Sequence, residues 1–257
     1  MTNGVCLVTG GSRGIGAATA RLAAARGWDV AINCRTSRAR AEEVARDVEA
    51  AGRRARVLVG DVATQDGIDA VYAGVDAFAA ECGTRLTALV NNAGIADRVG
   101  RITDFSFGRI ERIVALNVTG AMWVARQAVM RMATRFGGKG GAIVNLSSAA
   151  AKLGSADSFV DYAATKGAID TFTVGLAREW ALDGIRVNAV RPGIIDTELQ
   201  ASIGLPDRAR TEGSRQPMGR AGTAEEVAEA IVWLMSPAAS YTTGAFIDIS
   251  GGRSAVP

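Results

Sequence analysis

A tyrosine and a lysine stand four residues apart in Asp161-Tyr162-Ala163-Ala164-Thr165-Lys166, at the start of an apolar, helix-like run from Ala163 to Leu182. On a helix both side chains leave the same face, one turn apart. A phenol beside a fixed ammonium ionises more easily, because the positive charge stabilises the phenolate. Free tyrosine titrates near pH ~10 and needs such help to exchange protons at neutral pH. An exposed Tyr and Lys on an amphipathic helix would read the same, so the rest of the chain has to decide the meaning of the pair.

A second group with chemical potential is Thr9-Gly10-Gly11-Ser12-Arg13-Gly14-Ile15-Gly16, between a strand-like run and a helix-like one. Glycines there let backbone N–H groups approach a pyrophosphate at a helix N-terminus, and Gly10, Gly14 and Gly16 follow a GxxxGxG spacing. The next strand ends in Asn33-Cys34-Arg35-Thr36-Ser37. A fold selecting NAD places Asp or Glu there for the ribose 2′-hydroxyl. Cys34 and Arg35 stand there instead, and Arg35 with Arg13 could clamp a 2′-phosphate by charge-assisted hydrogen bonds, which predicts NADP(H) over NAD(H). Asp61-Val62, after the third strand, offers a carboxylate either to an adenine amino group or as a helix N-cap. Asn91-Asn92-Ala93-Gly94, after the fourth, permits close backbone approach and side-chain ties between strands.

The elements that must position these residues alternate. The pattern predicts strands at Val5–Val8, Asp29–Cys34, Arg56–Val59, Leu86–Val90, Ala142–Leu146, Arg186–Val190 and Ala245–Ile249. Helices are expected at Gly14–Arg26, Arg38–Ala51, Gln65–Ala80, about Phe107 to Arg135, the Tyr162 run and Ala224–Met235. Such alternation implies an α/β fold, a doubly wound parallel sheet of about seven strands with helices on both faces. No linker or repeat divides the 257 residues, so one Rossmann-type domain over residues 1–257 is expected. The long irregular connection Pro192–Met218 reads as functional, and residues 194–218 as a substrate lid.

Composition narrows the function classes. The 29 Lys+Arg are interspersed with 26 Asp+Glu, without a basic block, so no nucleic-acid partner is implied. Only Lys139, Lys152 and Lys166 are lysines. There is no histidine, and Cys6, Cys34 and Cys82 are far apart, which argues against a metal site, histidine-based catalysis and a disulfide framework. The cysteines read as small packing residues in a reducing compartment. No run approaches the ~18 apolar residues of a membrane span, so a soluble, cytoplasmic protein with no membrane association is expected.

The chain resembles the short-chain dehydrogenase/reductase family, compact branch, over nearly its whole length. The resemblance rests on TGGSRGIG (9–16), Asp61, NNAG (91–94), Asn117 within LNVTG, NLSS (145–148), YAATK (162–166), RPG (191–193) and Thr197, in that order. It is similar to ketoacyl-carrier-protein reductases and glucose or other sugar dehydrogenases. The resemblance implies hydride transfer between a nicotinamide and a carbonyl or secondary alcohol. Tyr162 would be the general acid/base, and Lys166 would lower its pKa and bind the nicotinamide ribose. Ser148 would hydrogen-bond the substrate carbonyl, and Asn117 would hold a water passing protons to Lys166. Pro192, Gly193, Ile195 and Thr197 would position the nicotinamide ring. Ser148 precedes Tyr162 by 14 positions, one more than in many family members, so an extra residue is inferred in the loop after Ser148, with Ser147 the alternative serine. The resemblance also implies a homotetramer or homodimer, to which Trp233 and the last strand could contribute. The competing readings are a non-catalytic NADP(H)-binding sensor or scaffold, and a purely structural domain.

Overall fold

The computed structural model describes residues 2–255; the ends of the expected 1–257 domain lie outside the described residues. In chain order the main elements are β1 (Val5–Val8), α1 (Gly14–Ala25), β2 (Asp29–Cys34), α2 (Arg38–Ala50), β3 (Ala55–Val59), α3 (Gln65–Glu81) and β4 (Leu86–Asn91). They continue with α4 (Phe107–Val114), α5 (Ala121–Met132), β5 (Gly141–Leu146), α6 (Ala150–Leu153) and α7 (Val160–Trp180). The last are β6 (Ile185–Pro192), α8 (Leu199–Ser202), α9 (Arg208–Thr211), α10 (Ala224–Met235) and β7 (Phe246–Ile249).

The seven strands form one sheet in the order β3-β2-β1-β4-β5-β6-β7, and every pairing is parallel. The strands alternate faces, as a period of two requires. Cys6 and Val8 join α1, α2 and α10 in one core, while Val5 and Leu7 join α3, α5 and α7 in another. Burial on both faces explains why β1 and β2 lack the apolar/polar alternation of a half-exposed strand. The chain reverses its direction of winding between β1 and β4, and this opens a crevice at the C-terminal ends of those strands, where an open α/β sheet binds its ligands.

Three sequence expectations need correction. The helix expected from Phe107 to Arg135 ends at Met132 and is not regular: Ala115–Gly120 form a π-helical segment joining α4 to α5. Gly120 lies so close to the main chain after β3 that an added Cβ would come 2.1 Å from the Val62 carbonyl oxygen, and the helix passes there only because the residue is glycine. The same 26-residue helix, Phe107–Met132, is also long and apolar enough by length and composition to cross a membrane, contrary to the sequence reading. Its apolar residues Val124, Ala125, Ala128, Val129 and Met132 are buried in the core under β4, which accounts for that composition. The segment after β6 is not wholly irregular; it carries α8, α9 and a 3-10 turn at Gly213–Arg215. Among the described residues no metal-ligating cluster occurs, and all three cysteines are free.

Candidate active site

The glycine-rich turn is held by main-chain geometry. Gly10 and Gly14 have φ of 62° and 50°, a left-handed conformation that glycine adopts without strain. A Cβ on Gly16 would lie 2.4 Å from the Gly10 carbonyl oxygen, so the first turn of α1 folds under the loop only with glycine there. The neighbouring strand ends fasten the turn. The Thr9 hydroxyl accepts from the N–H groups of Asn92 and Ala93 at 2.9 and 3.0 Å, and the Asn92 amide donates to the Thr9 and Gly10 carbonyls at 2.8 and 3.2 Å. Asn33 closes the other side, accepting from Gly10 N–H and donating to the Leu58 and Gly60 carbonyls at 3.1 Å. Asn91 and Asn145 tie β4 to β5 by a 3.2 Å side-chain bond.

These loops border a cleft of about 370 Å³ lined by Gly10, Ser12, Arg13, Gly14, Ile15, Asn33, Arg35, Thr36, Asp61, Val62, Asn92, Ala93, Gly94 and Thr197. Gly16 lies beneath it rather than on its wall. The three candidate charges are partnered: Arg13 with Glu198 at 3.4 Å, and Arg35 with Asp61 at 3.8 Å. Arg40, which the sequence reading did not single out, shares Glu198. Asp61 also accepts from the Ala63 N–H at 2.9 Å, while the N-cap of α3 is Thr64, so the capping alternative for Asp61 does not hold.

A second cavity shares Ile15, Asn92, Gly94 and Thr197 with this cleft and is lined further by Ser148, Tyr162, Lys166, Pro192, Gly193 and Ile195. α7 begins at Val160, so Tyr162 and Lys166 lie in its first two turns and face the same way. The Lys166 ammonium sits 5.5 Å from the Tyr162 ring centroid and donates to the Leu146 carbonyl at 2.6 Å. Lys166 is 5% exposed, and burial pulls its pKa down to about 8. Tyr162 is likewise raised by burial, against a hydrogen bond with Ser148 and the positive charge of Arg208. Withdrawal from water is the leading influence on both groups and disfavours the charged form of each.

The two serines part company. Both line this cavity, but Ser148 faces Tyr162, whereas Ser147 is buried with its hydroxyl donating to the Lys166 carbonyl at 3.3 Å. Where α6 ends, Gly154, Ser155 and Asp157 all have positive φ, at 69°, 50° and 54°. Asn117 lies in the π-helical segment and lines neither cavity. Its amide accepts from Ile95 N–H at 2.9 Å and donates to the Ile95 carbonyl at 2.8 Å and the Thr165 hydroxyl at 3.2 Å. Its side chain thus braces the loop after β4 against α7. Behind Lys166, Arg191 pairs with Asp170 at 2.8 Å.

Sequence reading did not single out Gln200 and Arg253, which join Arg208 and Phe159 around a pocket on the far side of Tyr162. Their distance along the chain from β5 and α7 hides this meeting. Lys152 makes it possible, donating to the Ser254 carbonyl at 2.8 Å and pairing with Asp248 at 3.3 Å, so the segment after β7 is pinned beside α6.

Comparison with known proteins agrees with this geometry. Residues 10–254 match a family model described as enoyl-(acyl carrier protein) reductase. The chain is 50% identical to the uncharacterized oxidoreductase YgfF of Escherichia coli strain K12, over 97% of this chain and 99% of that protein. It is 42% identical to cis-4-hydroxycyclohexanecarboxylate dehydrogenase of Sinomonas cyclohexanicum, over 98% and 97%. Among solved structures, a short chain dehydrogenase from Burkholderia cenocepacia J2315 in complex with NADP superposes with a TM-score of 0.86 at 36% identity, covering 98% of each chain. A 3-ketoacyl-(acyl-carrier-protein) reductase from Brucella melitensis complexed with NADH gives 0.88 at 31%, over 98% of this chain and 99% of that one. With a GxxxGxG turn at the switch point of a seven-stranded parallel sheet, and relatives of this identity along its length, the chain belongs to the short-chain dehydrogenase/reductase family.

Proposed function

We propose that this oxidoreductase interconverts a carbonyl and a secondary alcohol with NADP(H), Tyr162 being the general acid/base. The observation that carries the reading is one cavity, shared with the glycine-walled cleft, in which Ser148, Tyr162 and Lys166 face each other. The residues fit a dinucleotide: glycines stand where a Cβ would fill the cradle, and no carboxylate occupies the end of β2. When bound, the nicotinamide supplies or takes up the hydride. Ser148 hydrogen-bonds the substrate oxygen and stabilises charge developing there. Tyr162 gives its proton to that oxygen in reduction and removes it in oxidation. Lys166, with a pKa about 8, holds or releases a proton near neutral pH and can replenish the phenol. Asn117 keeps the Ile95 loop and Thr165 in place around that relay.

The NADP(H) preference is supported by Arg13, Arg35 and Arg40 around the end of β2, where two carboxylates, Asp61 and Glu198, meet three guanidinium groups. The segment 194–218 acts as the lid, α8 and α9 bringing Leu199, Ile203 and Arg208 to the substrate side. Assembly into a homotetramer or homodimer is supported by apolar exposure at Phe107, Val160 and Trp233, and a reducing cytoplasmic location by three unpaired cysteines. A binding-only sensor would not require Ser148, Tyr162 and Lys166 to converge. The deciding experiment follows NADPH and NADH oxidation with a panel of ketones, for the wild type and Tyr162→Phe. The wild type should turn over at least one ketone faster with NADPH, and the variant should bind cofactor but lose activity by at least about a thousandfold. Near-wild-type activity of Tyr162→Phe would refute the mechanism.

A further inference from the structure

Beyond Tyr162, the substrate pocket carries charge of one sign only. Its wall combines Leu153, Phe159, Leu199 and Ile203 with two guanidinium groups, Arg208 and Arg253, and no acidic side chain lines it. The two arginines come from segments 45 residues apart, α9 and the turn after β7, and ionisation of Arg253 is disfavoured first by its burial and then by the positive charge of Arg208. Arg208 is 18% exposed; its Nε is used by Glu212 at 3.1 Å, and its plane lies 5.3 Å from the Phe159 ring centroid. Among the described residues Arg253 has no carboxylate partner; its hydrogen bond is a long one, 3.4 Å, to the neutral side chain of Gln216. Two half-buried positive charges with one shared counter-charge leave a net positive wall. A planar anion taking N–H donors from both forks would satisfy it. Gln200 also lines the pocket. Gln200 is 7% exposed, and its Oε1 is buried without a hydrogen-bond partner while its amide donates to the Ile195 carbonyl at 3.1 Å.

We propose that the substrate is a small oxo acid or hydroxy acid, whose carboxylate is held by Arg208 and Arg253 while its carbonyl or hydroxyl carbon faces Tyr162. This specificity rests on the oxidoreductase reading above. The aliphatic wall of Leu153, Leu199 and Ile203 receives the carbon skeleton between the two ends. Arg208 thus has a second effect, since its charge also favours the ionised form of Tyr162.

The test pairs ketones with their carboxylated counterparts, cyclohexanone with 4-oxocyclohexanecarboxylate and 2-butanone with 4-oxopentanoate, with either cofactor. For the wild type, kcat/KM should favour the acid of at least one pair by tenfold or more. Arg253→Gln should lower kcat/KM for that acid at least tenfold more than for its neutral partner, mainly through KM. Direct titration calorimetry should show the acid binding the wild type and losing affinity in Arg253→Gln, a readout independent of turnover. Equal kcat/KM within both pairs, with ketones still reduced, overturns the carboxylate site and leaves the oxidoreductase reading standing. No turnover of any ketone by a protein that binds NADPH overturns both.

Discussion

The cofactor cleft and the substrate pocket sit on either side of Tyr162 and are built by different means. The cleft is made chiefly of main chain. Its shape comes from Gly10, Gly14 and Gly16, and its fastenings are bonds from Thr9, Asn33 and Asn92 to backbone groups of adjacent strands. The pocket is made of side chains delivered by α6, α7, α9 and the turn after β7. A backbone cradle tolerates few substitutions but recognises what all its ligands share, a pyrophosphate. A side-chain pocket can be altered one residue at a time, which suits the part of the molecule that chooses a substrate.

That contrast can be broken or sharpened by substitution. Gly16→Val tests the backbone cradle, because its Cβ would overlap the Gly10 carbonyl. It should raise the Kd for dinucleotide about a hundredfold and cost about 2 kcal/mol of stability. Equilibrium dialysis and thermal melts check both, and an unaltered Kd would show that the turn is not the anchor. Ser148→Ala should lower kcat about a hundredfold, while Ser147→Ala stays within about threefold because it loses only a 3.3 Å bond to a main-chain carbonyl. The reverse outcome would transfer the carbonyl-binding role to Ser147. Arg35→Asp should move the NADPH/NADH ratio of kcat/KM toward NADH by about tenfold; an unchanged ratio removes Arg35 from the choice of cofactor.

The smallest effect is one of stability. The folded pKa of Lys166, about 8, lies below its ordinary 10.5, so between those values the unfolded chain binds more protons than the folded protein. Stability therefore rises with pH across that window. Lys166→Met should stabilise the protein below pH 8 by up to about 3 kcal/mol, less about 1 kcal/mol for the lost bond to the Leu146 carbonyl. The gain should fade as pH climbs from about 8 toward 10.5. Chemical denaturation of both proteins at pH 7 and pH 10 checks the sign; a gain that grows with pH contradicts it.

The same contrast decides what was legible in the sequence. Period and punctuation revealed the seven strands, and the glycine spacing with the residues at strand ends marked the cleft, because such signals are local. Helix α10 was found to the residue; the capping box of Thr223 and Glu226 that starts it was not singled out. The long connection after β6 marked one side of the pocket, but its Arg253 side was hidden, because Arg253 meets Arg208 only after the sheet has formed and Lys152 has drawn in the segment beyond β7. The Tyr162–Lys166 spacing was visible; the sign of their pKa displacements was not, since it depends on how much water the fold excludes.

The π-helical turn at Ala115–Gly120 also acts as gearing. One surplus residue in a helix rotates everything beyond it by about 100°. Ahead of the turn, Ile113 packs toward α7; beyond it, Val124 and Ala128 mesh with the sheet. Deleting one residue there would restore a smooth helix yet throw one half out of mesh, either swinging Asn117 off the Ile95 loop or prising α5 from β4. The irregularity lets a single helix serve two partners set at different angles.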